Sequence, residues 1–313
     1  MKRLPLVTCF VVVGACGDDD GGAPLPLEEL PAELTNVYCQ ISVACHDFPD
    51  EATCQSSVHV FDSIGSLQAA VERGTVIYDP EAARACVNAL AGASHCTYGN
   101  AFDEEPQACD LAVQGTVAEG GTCYLDEECL GDANCEQGDG CTTACCMGTC
   151  VAGPADVAEG QPCALDTGPS CENGTYCKTM IGATAGVCTP SVTSGGPCET
   201  FDACAVGYCD LETMMCPELA AQGETCDPTS ELSCERYDDY CDPTTMKCQP
   251  LKAPGQPCAP DAFECVPYAD CVEGTCTAIP GEGQPCTDPC LGDLVCTGGA
   301  CVAPEPEPVC PAA

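Results

Sequence analysis

Tryptophan is absent from this 313-residue chain, and Phe and Tyr together number only 15. A chain so poor in large apolar side chains does not build the sizeable cores its length would allow. Basic residues are almost as scarce. Eight Lys and Arg stand against 49 Asp and Glu, a formal net charge of −41, and none falls between Ala85 and Cys177. That balance excludes nucleic acid as a partner, because nothing is present to neutralise phosphates. It fits solubility and self-repulsion along an extended array, or a weak association with divalent cations such as Ca2+. Histidine occurs three times, as His46, His59 and His95, and never afterwards. There is no Gly-x-Ser-x-Gly elbow, no His-Glu-x-x-His and no phosphate loop. Acidic pairs are too common in this chain to point to glycosidase chemistry. We therefore expect no catalytic residues, no cofactor and no enzymatic activity.

What the chain has in quantity is cysteine, 36 residues in all. Setting aside Cys9 and Cys16 leaves 34, about 11 % of the chain from Cys16 onward, above the roughly 8–10 % that marks a disulfide scaffold. Zinc would require close thiolate pairs, and neither Cys-x-Cys nor Cys-x-x-Cys occurs. Disulfides, and with them an oxidising compartment outside the cytoplasm, are expected instead of metal.

A Gly-x-x-Cys motif opens six copies of a repeat, ending at Cys123, Cys163, Cys198, Cys226, Cys258 and Cys286, with successive openings 28 to 40 residues apart. A period of that size indicates a repeat array. The repeats are placed at 119–153, 159–190, 194–217, 222–250, 254–278 and 282–303. The cysteines of the last five are Cys163, Cys171, Cys177, Cys188; Cys198, Cys204, Cys209, Cys216; Cys226, Cys234, Cys241, Cys248; Cys258, Cys265, Cys271, Cys276; and Cys286, Cys290, Cys296, Cys301. Modules near 30 residues are too small to fold on apolar burial alone, and two bridges each, worth about 2–4 kcal/mol apiece, would replace the missing core. Rich in Gly, Pro, Asp and Thr, they should be loops and short hairpins. Gly148, Gly186, Gly274 and Gly299 stand two residues before a closing cysteine, where a tight turn with positive φ is expected. Tyr176, Tyr208 and Tyr240 each precede a third cysteine and should cover the disulfides of their own module.

The first repeat carries seven cysteines: Cys123, Cys129, Cys135, Cys141, Cys145, Cys146 and Cys150. The adjacent Cys145 and Cys146 should reach different partners. Seven is odd, and the other cysteine without an assigned partner is Cys310, in the acidic, proline-rich tail at 304–313. Either the array folds back, or Cys310 bonds a partner molecule, or both thiols stay free.

Ahead of the repeats, residues 28–118 pattern as a helical segment with Cys39, Cys45, Cys54, Cys86, Cys96 and Cys109 in three disulfides. Leu30, Leu34, Val37 and Ile41 recur at helical spacing. Asp79-Pro80-Glu81 reads as a helix start, with a stop near Gly92. Ile64, Leu67, Ala70 and Val71 predict a further helix ended by Gly74. His46 and His95 each adjoin a cysteine and are expected at the surface. The fold class expected overall is a small α-helical, disulfide-bonded domain followed by small disulfide-rich repeats in tandem.

At the N-terminus, Met1-Lys2-Arg3 precedes a ten-residue apolar run from Leu4 to Val13, too short to span a bilayer and apt for a signal peptide. It ends in Val13-Gly14-Ala15-Cys16, which resembles the bacterial lipobox. That resemblance implies a signal peptide at 1–15, lipidation of Cys16 and anchoring in the outer membrane or cell surface of a Gram-negative bacterium. Residues 16–27 then form an acidic Gly/Pro tether.

Taken together, the lipobox, the six-cysteine helical segment and the Gly-x-x-Cys repeats with Tyr-Cys and Gly-x-Cys inside them resemble myxobacterial-type cysteine-rich predicted lipoproteins. Such proteins carry modules described as Dickkopf N-terminal-like or EGF-like. The resemblance implies a module shape, and a lipid-anchored surface protein serving adhesion, recognition or spacing towards an extracellular protein or carbohydrate. Two other classes fit the composition: a divalent-cation-binding acidic surface protein and a protease-inhibitor-like disulfide scaffold.

Overall fold

The computed structural model describes residues 22–59, 64–92, 96, 106–138, 141, 145–153, 156–165, 168–180, 183–207, 209–228, 233–259, 263–287, 289–306 and 308–310. The signal-peptide and lipidation assignments, Cys16, the start of the tether, His95 and Tyr208 lie outside these residues.

The chain enters through a short 3-10 turn at Leu27–Glu29 into α1 (Leu30–Ala44). Then follow α2 (Glu51–Ser57), α3 (Ile64–Arg73), β1 (Val76–Tyr78), α4 (Pro80–Gly92), α5 (Gln107–Ala112) and β2 (Val113–Gly115). Asp79 caps α4 as its sequence suggests, one carboxylate oxygen accepting from the amides of Glu81 at 2.9 Å and Ala82 at 3.1 Å. The period-3.6 face of α1 packs Leu30 and Val37 against Ala83 and Val87 of α4, with Leu25 and Ala112 completing the cluster. Bridges Cys39–Cys54, Cys45–Cys96 and Cys86–Cys109 tie α1 to α2, α1 to the chain after α4, and α4 to α5. Helices α2 and α5 and the β1–β2 ribbon went unseen in the sequence. Helix α2, capped by Asp50 onto the Thr53 amide at 2.8 Å, spans only seven residues, too few to display a period. The antiparallel β1–β2 ribbon joins segments far apart in the chain.

Six modules follow, built on β3 (Thr122–Cys123), β4 (Ala133–Gln137), β5 (Gly148–Ala152), β6 (Pro162–Ala164), β7 (Thr175–Thr179) and β8 (Ala185–Pro190) in the first two. The last three use β9 (Asp239–Asp242), β10 (Lys247–Pro250), β11 (Ala269–Val272), β12 (Thr275–Ala278), β13 (Val295–Thr297) and β14 (Ala300–Val302). The third module has only isolated bridges, such as Asp210 to Met215. In every module the first of the shared cysteines bonds the third and the second bonds the fourth, from Cys123–Cys135 and Cys129–Cys150 to Cys286–Cys296 and Cys290–Cys301. The interior of a module is built of these sulfurs and a few apolar groups. In the first it is Cys123, Cys129 and Cys150 under Val117 and Ala133; in the fourth, Cys226, Cys234 and Cys248 beside Ala220.

The glycine that opens each module has a backbone reason common to all six copies. Gly120, Gly160, Gly195, Gly223, Gly255 and Gly283 all take positive φ, between 71° and 88°. In that conformation each donates its amide to the carbonyl of the module's last cysteine, at 2.7–2.9 Å. A side chain there would meet the left-handed penalty. The closing glycines are not uniform. Gly274 and Gly299 have positive φ, as expected, whereas Gly148 and Gly186 lie inside β5 and β8. At Gly148 a Cβ would stand 2.6 Å from the Cys135 sulfur, so close approach, not turn geometry, selects glycine in these two.

Cys310 is bonded to Cys145, and Cys146 to Cys141. This corrects the idea that Cys310 goes unpaired: the tail returns to the first module, and the array folds back. Leu291 of the sixth module and Tyr268 and Ile279 of the fifth pack with Phe48 and Val58 of the helical domain. The Asp293 amide donates to the Ser57 carbonyl at 2.8 Å, and the His59 amide to the Asp293 carboxylate at 2.7 Å. The Cys310 amide reaches the Ser66 hydroxyl at 3.2 Å.

Candidate functional site

Closure of the array places three groups of functional side chains along one seam against the helical domain. The first joins α3 and β1 to module 1. Glu128, the residue before the second cysteine, is 1 % exposed and meets Arg73 at 2.5 Å. Its other partners are the Thr75 hydroxyl and the amides of Tyr124 and Leu125. Burial pushes the Glu128 carboxyl up, but bonds from Thr75, Arg73 and the two amides outweigh it and hold the group below the usual range. Arg73 also lies over the Tyr124 ring, 5.3 Å from its centre.

The second group joins the α1–α2 turn to module 4. His46, itself in a left-handed conformation, donates from Nδ1 to Asp238 at 2.9 Å. Asp238 is 3 % exposed and accepts a two-pronged bond from Arg236, at 2.7 and 2.6 Å. Burial raises the Asp238 carboxyl, yet Arg236 and His46 keep it low. The groups beside it shift the other way. Burial, then the Asp238 charge, raises Asp47 to about 6 despite His46. Asp239 is raised by burial and by Asp238, and Tyr237 by burial and by Asp47. Asp47 thus holds its proton to a higher pH than an ordinary carboxyl, beside the Arg236–Asp238 fork.

The third group is apolar: Phe48, Val58 and Leu291 around the Cys39–Cys54 bridge. Nearby, modules 5 and 6 bound an open groove of about 310 Å³, lined by Asp270, Ile279, Pro280 and Thr287 among others.

His46 is half-exposed as a surface residue would be, but it makes a long-range docking bond that its cysteine neighbour did not suggest. Tyr176 and Tyr240, the two of the three tyrosines within the described residues, turn towards the next module. Tyr176 of module 2 is buried among Cys198, Cys204, Cys209 and Cys216 of module 3. Tyr240 of module 4 faces Lys252, 5.1 Å from its ring centre, and Lys252 pairs with Glu264 of module 5 at 2.5 Å. Sulfur trios such as Cys123, Cys129 and Cys150 lie within 4.8 Å of one another, close enough for a metal. Each of these sulfurs is spent in a bridge, and the thiolate is the form that ligates. Glu128 and Asp238 were missed in the sequence. The signal available was the rarity of cations, since Arg73 and Arg236 each mark an acid worth finding.

No helix among the described residues is long and apolar enough to cross a membrane. The density of bridges fits an extracytoplasmic environment. No family model matches the chain, and no solved structure matches it.

Proposed function

We propose that the protein is a non-catalytic, lipid-anchored surface scaffold for adhesion or recognition. Cys16 carries the anchor, the acidic segment after it is the tether, the helical domain is the base, and the modules, similar in kind to Dickkopf N-terminal-like or EGF-like units, present loops. The observation that supports this reading most is the division of labour among the modules. Modules 1, 4, 5 and 6 supply the seam with the helical base through Glu128, Asp238, Tyr268 and Leu291. Modules 2 and 3 meet each other through Tyr176 and the Lys178–Glu199 pair. On this reading 159–217 is the displayed part, turned towards an extracellular protein or carbohydrate.

The test has two steps. Cys16→Ser should move the protein from the membrane fraction to the soluble exported fraction; unchanged fractionation refutes the anchor. Beads coated with the full exported chain should bind cells or isolated envelopes, and beads coated with the reduced, alkylated chain should not. Equal binding by both would refute a recognition role for the folded modules.

A further inference from the structure

All methionines beyond Met1 share one address. Met147, Met180, Met214, Met215 and Met246 lie between the third and fourth shared cysteines of modules 1 to 4, in or beside the hairpin connection. All five are exposed, from 38 % at Met215 to 82 % at Met180. Methionine ordinarily fills irregular gaps in cores, and none of these does.

Met214 and Met246 make the point sharply. Each stands two residues before the last cysteine of its module, where modules 5 and 6 have Gly274 and Gly299. All four residues take positive φ, at 56°, 55°, 80° and 84°. All four accept the same backbone bond from the first cysteine of their module, at 3.0–3.1 Å. The backbone role is thus filled by glycine without strain, and a methionine adds an exposed side chain at a conformational cost. What methionine brings there is its sulfur. Every described cysteine is already oxidised in a bridge, so the thioethers are the reducing sulfur of these modules.

We infer that these methionines are sacrificial sites for two-electron oxidants, hydroperoxides and hypohalous acids, and that the array consumes such oxidants without losing its fold. In the peroxide case a sulfur lone pair forms the S–O bond as the O–O bond breaks. The thioether becomes a sulfoxide, losing two electrons, and the peroxide leaves as water. A sulfoxide in a core disrupts packing because it is polar. At a solvated turn held by two bridges it displaces nothing.

The test treats the full disulfide-bonded chain with hydrogen peroxide and maps products by peptide mass spectrometry. All five methionines should gain one oxygen at rates within about five-fold of a methionine in an unfolded peptide, as partly to largely exposed thioethers should. The bridges and the thermal midpoint should be unchanged. A variant with all five changed to Leu should lose this consumption. Met214→Gly with Met246→Gly should raise the midpoint while removing two of the five equivalents. Slow oxidation at Met214 and Met246, a fall in midpoint on oxidation, or destabilisation by the glycine pair would make these side chains structural and overturn the inference.

Discussion

The Cys145–Cys310 bridge and the Leu291 contact should hold the array closed redundantly, so that losing both opens it and losing either alone does not. The two cysteines are 165 residues apart, but the first-to-third bridges of modules 2 to 6 bypass 14, 11, 15, 13 and 10 residues. The effective loop is then about 100 residues, and closing it costs about 4–5 kcal/mol in chain entropy. Against this stand Leu291 and Phe48, each worth about 1.5–3 kcal/mol on burial. The two bonds at Asp293 add about 1 kcal/mol apiece. Without the bridge, therefore, the contact of modules 5 and 6 with the base holds by a narrow margin; Leu291→Ala removes about 2–5 kcal/mol and erases it, leaving the array tied to the base through Glu128 and Asp238. In Cys145→Ser/Cys310→Ser, the Asp293 amide should stay protected from hydrogen exchange but lose about a thousand-fold in protection, the equivalent of that loop entropy. Adding Leu291→Ala should raise the radius of gyration measured by small-angle X-ray scattering, with module bridges intact. An unchanged radius in the triple variant, or unchanged protection in the double one, would refute the reasoning.

Glu128→Ala should destabilise the junction with module 1 by about 2–3 kcal/mol, because the Arg73 guanidinium, the Thr75 hydroxyl and the Tyr124 and Leu125 amides all lose this carboxylate; amide exchange across 116–130 would report it. The Asp47 carboxyl, raised to about 6 from 3.8, favours the folded state while protonated. As pH rises through that window the unfolded chain releases this proton first, so stability falls between the two values and levels off above the higher. Asp47→Asn should abolish that slope, an effect of about 1 kcal/mol given partial solvent screening, read from melts at a series of pH values. Gly223→Ala, at φ 83°, should cost its module about 1–2 kcal/mol, whereas Gly92→Ala at the end of α4, with open space around it, should be neutral; thermal melts of the two compared directly would decide.

The parts of this fold legible in the sequence were those written in neighbouring residues. The Asp79-Pro80-Glu81 start, the Leu30–Ile41 face of α1 and the stop at Gly74 are local patterns, and each produced its element. The number of modules was equally plain from the recurrence of Gly-x-x-Cys. Connectivity was not, because four cysteines at these spacings permit three pairings and only the hairpin decides among them. Opposing the third cysteine with the fourth, as at Cys241 and Cys248, sends each to a different one of the first two. Closure was illegible for a different reason. His46 and Asp238 are 192 residues apart, and no local pattern encodes a contact between them. Tyr176 misled because the Tyr-Cys dipeptide suggests a local cover, while the pleat of β7 aims the ring outwards onto the next module.

With disulfides filling each interior, side chains otherwise needed for a core become available to set how modules meet. The cations show where this happens. Beyond Lys2 and Arg3 the chain has six, and among the described residues five of them form ion pairs. Arg84 links α4 to α1, Arg73 the base to module 1, Lys178 module 2 to module 3, and Lys252 leads into module 5. Arg236 braces Asp238 where module 4 meets His46. In a chain carrying 49 acidic groups, surfaces repel on average, and a cation placed between two of them offsets that repulsion. Arg73, Lys178, Arg236 and Lys252 are thus spent on joints, and exchanging one of these four for a neutral residue should alter the path of the array, read as a changed small-angle scattering profile, while leaving every module bridged.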